Sequence, residues 1–263
     1  MPEIKLVLTD LDGTVVQLGD HAVSERVRDS IIACEDADVT VAPVTGRPHR
    51  FAQPILEVLG FDGLGVFDNG ATIQDIKSGM VHHKQWLEPE KVQAVATILY
   101  KHARVIYYEP GLYEPGIEEH APGEYEAERI AAVQEDASHI FAQVYSEHIA
   151  EISAQLRLIP GISFYTAPSS RNFTDCNGIQ VTHELADKFH GVEALRVITG
   201  SSKEQTLAIG DGDNDIPFFR SAGLKIAMGN ASDELKALAD DVVADIDHDG
   251  FAEAMERFVL SVQ

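Results

Sequence analysis

The hydrophobic pattern in the first third of the chain alternates between strand and helix. Residues 4–8 form a short apolar run, and Val27, Ile31 and Cys34 then recur at helical spacing. Strands at 39–44 and 64–67 are predicted with a helix at 48–59 between them. The last third repeats this alternation, with predicted strands at 206–209, 224–228 and 242–243 and helices near 188, after 213, near 232 and around 251–258. Because these strands are apolar throughout, they predict a parallel sheet covered by helices on both faces.

In the middle of the chain, a new pattern of hydrophobic and polar positions begins near residue 82. It predicts helices at 89–102 and 148–158 and strands at 105–108, 141–145, 162–165 and 179–183. Residues 109–128 are rich in Pro-Gly pairs and acids; we expect a solvated loop there, with a functional lid as the alternative. We therefore predict a core domain of residues 1–81 and 184–263, interrupted by a smaller α/β domain at 82–183.

Composition and charge narrow the range of partners. The chain has 263 residues, 44% of them hydrophobic, and a formal net charge of −23. This charge argues against nucleic acid or an anionic membrane as partner, although a local cation or metal still permits a small anionic substrate. The two cysteines, Cys34 and Cys176, form no CxxC pattern. The start of the sequence lacks a signal-peptide pattern, and no apolar stretch reaches the ~18 residues of a membrane helix. We expect a cytoplasmic protein.

Two polar motifs follow strands predicted in the first third. Within TDLDGT, residues 9–14, Asp10 and Asp12 stand two positions apart in extended chain, so both carboxylates can face the same way. Thr45, Gly46 and Arg47 follow the second strand. Their hydroxyl, open backbone and guanidinium suit a phosphate. Because ligands bind outside the carboxyl ends of parallel strands, we expect these motifs to converge in one crevice.

Two further motifs come from the last third. GDGDND, residues 210–215, places Asp211 and Asp215 after a predicted strand, and Lys188 opens the helix ahead of it. Lys203 is a weaker candidate because it precedes that strand and would lie at the opposite end of the sheet. Carboxylates ~4 Å apart repel by about 4 kcal/mol at an effective dielectric of ~20. A Mg²⁺ ion, with oxygen ligands and a substrate phosphate, would neutralise them.

Other interpretations of the acidic motif are disfavoured by the positions around it. A calcium loop that begins at Asp211 would need glycine at position 216 and glutamate at position 222, but the sequence has Ile216 and Ala222. A plain acidic surface turn would leave the other three motifs unexplained. The chain contains no GxxxxGKS or GxxxxGKT, no GxSxG and no HExxH, so a P-loop nucleotide site is not supported.

These segments together resemble the haloacid dehalogenase (HAD) superfamily. TDLDGTVV, PVTGRP, a lysine near 188, and GDGDNDIPFF followed by AMGNA stand in the family's order at suitable spacing. The resemblance is closest to the Cof-like sugar-phosphatase branch and covers about residues 1–80 and 180–263. It implies an α/β fold with a Rossmann-like parallel sheet core and an inserted smaller α/β cap domain, which is recognised by position rather than by its residues.

The resemblance implies a Mg²⁺-dependent phosphatase of small phosphorylated metabolites, with sugar phosphates expected. Asp10 would be the nucleophile that forms an aspartyl-phosphate. Asp12 would be the general acid and then the base that activates water, and its backbone carbonyl would bind Mg²⁺. The phosphate- and substrate-binding residues implied are Thr45, Gly46, Arg47, Lys188 and Asn214. The metal-binding residues implied are Asp10, Asp12, Asp211 and Asp215.

Some alternatives stay open at this point. The family usually has Lys-Gly where this chain has Lys188-Phe-His-Gly, and Arg47 could contact phosphate or pair with an acid. A phosphomutase on the same core fits the motifs equally well, whereas a non-catalytic phospho-ligand binding protein would be expected to have lost Asp10 or Asp12. Arg171 and Asn172, in a polar loop of the inserted domain, are candidates for reading the leaving group of the substrate.

Overall fold

The computed structural model describes residues 3–17, 24–109, 134–168 and 175–262. The chain divides into two compact units, which we call the core unit (Met1–His83 and Asp187–Gln263) and the inserted unit (Lys84–Ala186). Arg171 and Asn172, and nearly all of the Pro-Gly-acid segment, lie outside the described residues. No helix within the described ranges is long and apolar enough to cross a membrane.

The described residues contain the following strands: β1 (Leu6–Thr9), β2 (Thr40–Pro43), β3 (Leu64–Phe67), β4 (Thr72–Asp75), β5 (Val81–Lys84), β6 (Ala103–Glu109), β7 (His139–Tyr145), β8 (Ile162–Pro168), β9 (Cys176–His183), β10 (Thr206–Gly210), β11 (Leu224–Ala227) and β12 (Asp241–Val242). The α-helices in the same ranges are Glu25–Asp36, His49–Leu59, Pro89–Leu99, Ile149–Leu156, Lys188–Thr199, Ile216–Phe219, Asp233–Leu238 and Gly250–Phe258.

The core unit is built on a five-stranded sheet in the order β12-β11-β10-β1-β2, with every pair of neighbours parallel. Strand β1 lies between β10 and β2, and its apolar residues Leu6, Val7 and Leu8 are fully buried. Such burial of successive residues requires cover on both faces of the sheet, which the helices between the strands provide.

The register of β1 determines which polar residues meet. Thr9, the last residue of β1, lies beside Pro43 of β2 on one side and Ile209 of β10 on the other. The backbone amide of Asp10 continues the ladder and donates to the carbonyl of Ile209 at 3.2 Å. The chain segments that leave β1, β2 and β10 therefore start side by side at the carboxyl edge of the sheet.

The predicted third strand differs from the expectation of a parallel strand. β3 joins the parallel sheet only through an isolated bridge between Val44 and Val66, and it pairs antiparallel with β4 in a sheet of order β3-β4-β5. The chain reverses directly after β3 because Asp68, Asn69 and Gly70 all have positive φ. A helical crossover would be needed to keep the next strand parallel, and this tight turn leaves no room for one.

The inserted unit is a four-stranded antiparallel sheet in the order β6-β7-β9-β8. Helices Pro89–Leu99 and Ile149–Leu156 pack against each other. Their apolar residues, among them Leu99 and Ile152, join the inner side chains of the sheet in one hydrophobic cluster. This unit thus has a hydrophobic core of its own.

Candidate active site

Three aspartates meet at the carboxyl edge of the parallel sheet. Asp10 follows β1, Asp211 follows β10, and Asp215 lies in the short turn after it. One carboxylate oxygen from each lies within 4.8 Å of those of the other two. Asp10 is only 6% exposed and Asp215 is fully buried. We call these three residues the aspartate cluster.

Lys188 neutralises part of the aspartate cluster. Its ammonium group donates to Oδ1 of Asp10 at 2.7 Å and to Oδ1 of Asp215 at 2.8 Å, and the side chain is 3% exposed. Burial alone would lower the pKa of Lys188, but Asp10 and Asp215 outweigh it and raise that pKa above its usual value. Lys188 is therefore a permanent cation in the site.

The helix that carries Lys188 is held closely against the core. Asp187 caps its first turn by accepting from the backbone amide of His190 at 2.8 Å. A Cβ at Gly191 would lie 2.7 Å from Cα of Gly70, so only glycine allows this approach. The unusual spacing Lys188-Phe-His-Gly191 thus fits a helical turn, in which Gly191 faces the Gly70 loop.

Asp215 uses both of its carboxylate oxygens within the protein. Oδ1 accepts from Lys188, and Oδ2 accepts from the backbone amides of Asp211 and Gly212 at 2.9 and 3.0 Å. A Cβ at Gly210 would lie 2.5 Å from Oδ2, which explains glycine there. Asp215 is therefore suited to hold Lys188 and the turn at residues 211–215 in place.

Asp211 is held from the opposite side by the end of the TDLDGT motif. The hydroxyl of Thr14 donates to Oδ1 of Asp211 at 2.7 Å. Gly13 has φ +90°, and a Cβ there would overlap Oδ2 of the same carboxylate. The side-chain amide of Asn230 donates to the carbonyl of Gly13 at 2.8 Å. Thr14 therefore binds only Oδ1 of Asp211, and Oδ2 takes no part in this hydrogen bond.

The aspartate cluster carries more negative charge than Lys188 balances. Burial raises the pKa of Asp10 to about 7, with Asp215 and Asp211 adding to the effect and Lys188 opposing it. Burial likewise raises the pKa of Asp211 to about 6. One lysine cannot balance three carboxylates, so a proton or a metal ion must share the site. Carboxylate oxygens are the ligands that Mg²⁺ prefers, and the donor set therefore fits this ion.

The carboxylate of Asp12 is turned towards Arg47 and is not part of the aspartate cluster. Nε of Arg47 donates to Oδ2 of Asp12 at 2.7 Å, and its Nη2 pairs with Oδ1. Of the two alternatives for Arg47, the structure has the pairing with an acid. Both side chains are partly exposed, at 23% for Arg47 and 30% for Asp12.

The loop after β2 is folded tightly beside this pair. Thr45 is 1% exposed, and its hydroxyl accepts from the backbone amide of Arg47 at 3.1 Å. The backbone amide of Asn69 donates to the carbonyl of Thr45, and a Cβ at Gly46 would lie 2.9 Å from Oδ1 of Asn69. Asn69 therefore lies against the Thr45 loop. Asn214, by contrast, is exposed, and its amide oxygen lies over Gly212.

Two residues of the site were not assigned a role from the sequence. Thr14 lies within the quoted TDLDGT motif, but its bond with Asp211 depends on the turn at Gly13. Asn230 follows β11, so the rule that polar residues after parallel strands line the ligand crevice could have identified it. Its Oδ1 also accepts from the backbone amide of Ile246 at 3.0 Å, which ties the loop after β11 to a more distant segment.

Comparison with known proteins identifies the family. The family model of haloacid dehalogenase-like hydrolases matches residues 7–255, and the chain therefore belongs to this family. Phosphatase YwpJ of Bacillus subtilis is 26% identical over 97% of this chain and 100% of its own length. A phosphoglycolate phosphatase of Methanothermobacter thermautotrophicus is 24% identical over 97% of this chain and 99% of its own. The family and these relatives identify a phosphoric monoester hydrolase, as the sequence predicted.

A solved structure supports the same fold. A solved structure of a subclass IIB sugar phosphatase of the HAD superfamily superposes with a TM-score of 0.69 at 23% identity, over 97% of this chain and 98% of that chain. Together with the parallel core sheet and the additional antiparallel sheets, this similarity confirms the predicted α/β fold with a Rossmann-like core and an inserted α/β domain.

Proposed function

We propose that this protein is a Mg²⁺-dependent phosphatase of small phosphorylated metabolites, with sugar phosphates as the preferred class. The observation that carries the proposal is the buried aspartate cluster, bound by Lys188 and placed at the carboxyl edge of the parallel sheet. The sugar class is supported by the subclass IIB sugar phosphatase with which the chain shares its fold.

In the first step Asp10 attacks the phosphorus of the substrate. Its Oδ1 is bound to Lys188, which leaves Oδ2 outside this ion pair. A bond forms between this oxygen and phosphorus while the bond from phosphorus to the leaving oxygen breaks. Asp12 acts as the general acid that gives a proton to the leaving oxygen, and an aspartyl-phosphate remains on Asp10.

In the second step Asp12 reverses its role. It takes a proton from a water molecule whose oxygen attacks phosphorus, and the bond between phosphorus and Asp10 breaks to give inorganic phosphate. The Asp12 side chain is 30% exposed, which suits a group that meets both a leaving group and water. Its two bonds with Arg47 fix the position of the carboxylate between the steps.

The remaining residues bind charge. Lys188 and the hydroxyl of Thr45 hold phosphoryl oxygens, the open backbone at Gly46 admits them, and Asn214 lies on the rim where it can contact substrate. Asp10, the backbone carbonyl of Asp12, and Asp211 would hold Mg²⁺, and Asp215 would complete the site directly or through water. When bound, Mg²⁺ neutralises the charge of the phosphoryl group and of the carboxylates.

In this proposal the inserted unit acts as a cap domain. It would exclude bulk water during the reaction and select the leaving group, so that its residues rather than those of the core unit set the substrate range. The proposal predicts that exchange of this unit changes which phosphate esters are cleaved and leaves the metal requirement unchanged.

The test is phosphate release from a panel of hexose phosphates, disaccharide phosphates, phosphoglycolate and pyridoxal phosphate, with Mg²⁺ and with EDTA. We expect release that requires the metal and is lost in Asp10→Asn. Asp29→Asn, an exposed residue of helix Glu25–Asp36, serves as the matched control and should keep full activity. Transfer of the phosphoryl group to a second position of the substrate without free phosphate would indicate a phosphomutase. Release unaffected by EDTA or by Asp10→Asn would refute the proposed site.

A further inference from the structure

Two histidines and a glutamate converge within the inserted unit. His102, His148 and Glu151 each offer one ligand atom that lies within 4.8 Å of the other two. The imidazole rings of His102 and His148 have centroids 4.2 Å apart at a tilt of 35°. Nε2 of His102 lies 3.9 Å from Oε1 of Glu151.

The three side chains come from two structural elements that pack together. His102 lies in the turn after helix Pro89–Leu99, and its backbone amide donates to the carbonyl of Leu99 at 3.0 Å. His148 immediately precedes helix Ile149–Leu156, and Glu151 follows it three residues later on the same face. Because the two helices contact each other through a hydrophobic core, the cluster rests on a rigid base.

The chemistry of the cluster differs from that of the aspartate cluster. Two imidazoles and a carboxylate are a ligand set for borderline divalent metals such as Zn²⁺, whereas Mg²⁺ prefers oxygen ligands. Oε1 of Glu147 also lies 3.5 Å from Nε2 of His148.

The side chains are also accessible enough to receive an ion. The exposed fraction is 15% for His102 and 59% for Glu151. Gln155 competes for Glu151, since its side-chain amide donates to Oε1 at 3.2 Å, but this exposed bond can be exchanged with little loss. Ligand atoms lie about 2.0–2.2 Å from a bound Zn²⁺ ion, so these three atoms, which are within 4.8 Å of one another, would move closer together around the ion.

We propose that His102, His148 and Glu151 form a second metal site, which takes one Zn²⁺ or a similar borderline divalent cation. The ion would join the end of helix Pro89–Leu99 to the start of helix Ile149–Leu156 and so stabilise the inserted unit. This site does not depend on the phosphatase function, and it leaves coordination positions open to water.

The test is calorimetric titration of the full chain with Zn²⁺ in excess Mg²⁺, which occupies the aspartate cluster. We expect one equivalent of Zn²⁺ to bind. The double variant His102→Gln with His148→Gln should lose affinity by more than the roughly 10- to 100-fold that outer-shell changes cost. The matched control is His82→Gln with His83→Gln, a second histidine pair, in strand β5, which should bind as the wild type does.

A second measurement keeps the test decisive if the double variant fails to fold. Cu²⁺ bound to the wild type should show coupling to two nitrogens in its electron paramagnetic resonance spectrum, and His148→Gln alone should reduce this to one. Glu151→Gln should weaken Zn²⁺ binding and leave both nitrogens. No Zn²⁺ binding in excess Mg²⁺, equal binding by the double variant, or loss of binding in the His82 and His83 control would overturn the proposal and leave a stacked pair of histidines.

Discussion

Replacement of Lys188 by methionine tests the electrostatic account of the core unit. The change keeps a long apolar stem and removes the charge that binds Asp10 and Asp215. At 2.7 and 2.8 Å and an effective dielectric of ~20, each ion pair contributes about 6 kcal/mol of Coulomb energy. The variant no longer pays the desolvation cost of the buried ammonium group, and this offsets part of the lost Coulomb energy. We therefore expect the free energy of unfolding to fall by about 3–5 kcal/mol, as for other buried pairs that lose one partner.

The loss of stability in Lys188→Met should depend on pH. In the wild type the pKa of Asp10 is about 7, above its ordinary 3.8, so the folded state binds this proton more tightly than the unfolded state. Stability from this group is therefore present at low pH and is lost as pH rises through 7. Without Lys188 the pKa of Asp10 rises further. The variant should hence be closest to the wild type near pH 5 and should lose most stability above pH 7.

The assay is hydrogen exchange of the backbone amides of strand Leu6–Thr9, measured by mass spectrometry at pH 5 and pH 8 without metal. Lys203→Met is the matched control, because Lys203 is exposed and should cost no more than about 0.5 kcal/mol. Equal protection in the two variants would refute the reasoning. A loss in Lys188→Met that is the same at both pH values would point to packing rather than charge.

Three further predictions concern the metal. Gly13→Ala should abolish Mg²⁺-dependent activity because the added Cβ would overlap the carboxylate of Asp211. Gly63→Ala is the control, since Gly63 also has φ +90° but a Cβ there would meet no atom within 4 Å, so this variant should show only backbone strain. The activity and the melting temperature of both variants separate the overlap from the strain. Thr14→Val should raise the half-activating Mg²⁺ concentration at least ~10-fold without a change in melting temperature, because it removes the donor to Asp211; an unchanged metal requirement would contradict this role. The half-activating Mg²⁺ concentration of the wild type should fall as the pH rises from 5 to about 7 and should then level off. The reason is that protons compete with Mg²⁺ for Asp10, whose pKa is about 7, and for Asp211, whose pKa is about 6. A flat profile would argue against these two carboxylates as metal ligands.

The position of most site residues was predictable because strand ends define it. Asp10 and Asp211 follow apolar runs whose parallel pairing brings their ends together, and the helical pattern correctly assigned Lys188 to the start of a helix. Which partner each side chain takes was not predictable. Arg47 has the reach for phosphate or for an acid, and its pairing with Asp12 depends on the fold of the Thr45 loop.

The missed elements are those without an apolar run. Strand β5 reads VHHK and is largely exposed, so no periodic pattern marks it. The reversal before β4 depends on positive φ at Asp68 and Asn69, where side chains other than glycine give only a weak signal. Asp215 was predicted as a site residue, but the use of both its oxygens by Lys188 and the backbone follows from the geometry of the turn alone.

The most direct test of the central claim is to identify the residue that carries the phosphoryl group. Excess enzyme is mixed with Mg²⁺ and a substrate that it hydrolyses, and the reaction is quenched within one turnover. The protein is then reduced with borohydride and analysed by peptide mass spectrometry. Because borohydride converts an aspartyl-phosphate to homoserine, the account predicts homoserine at position 10. Homoserine at another aspartate, or turnover with unmodified Asp10 at every quench time, would contradict it.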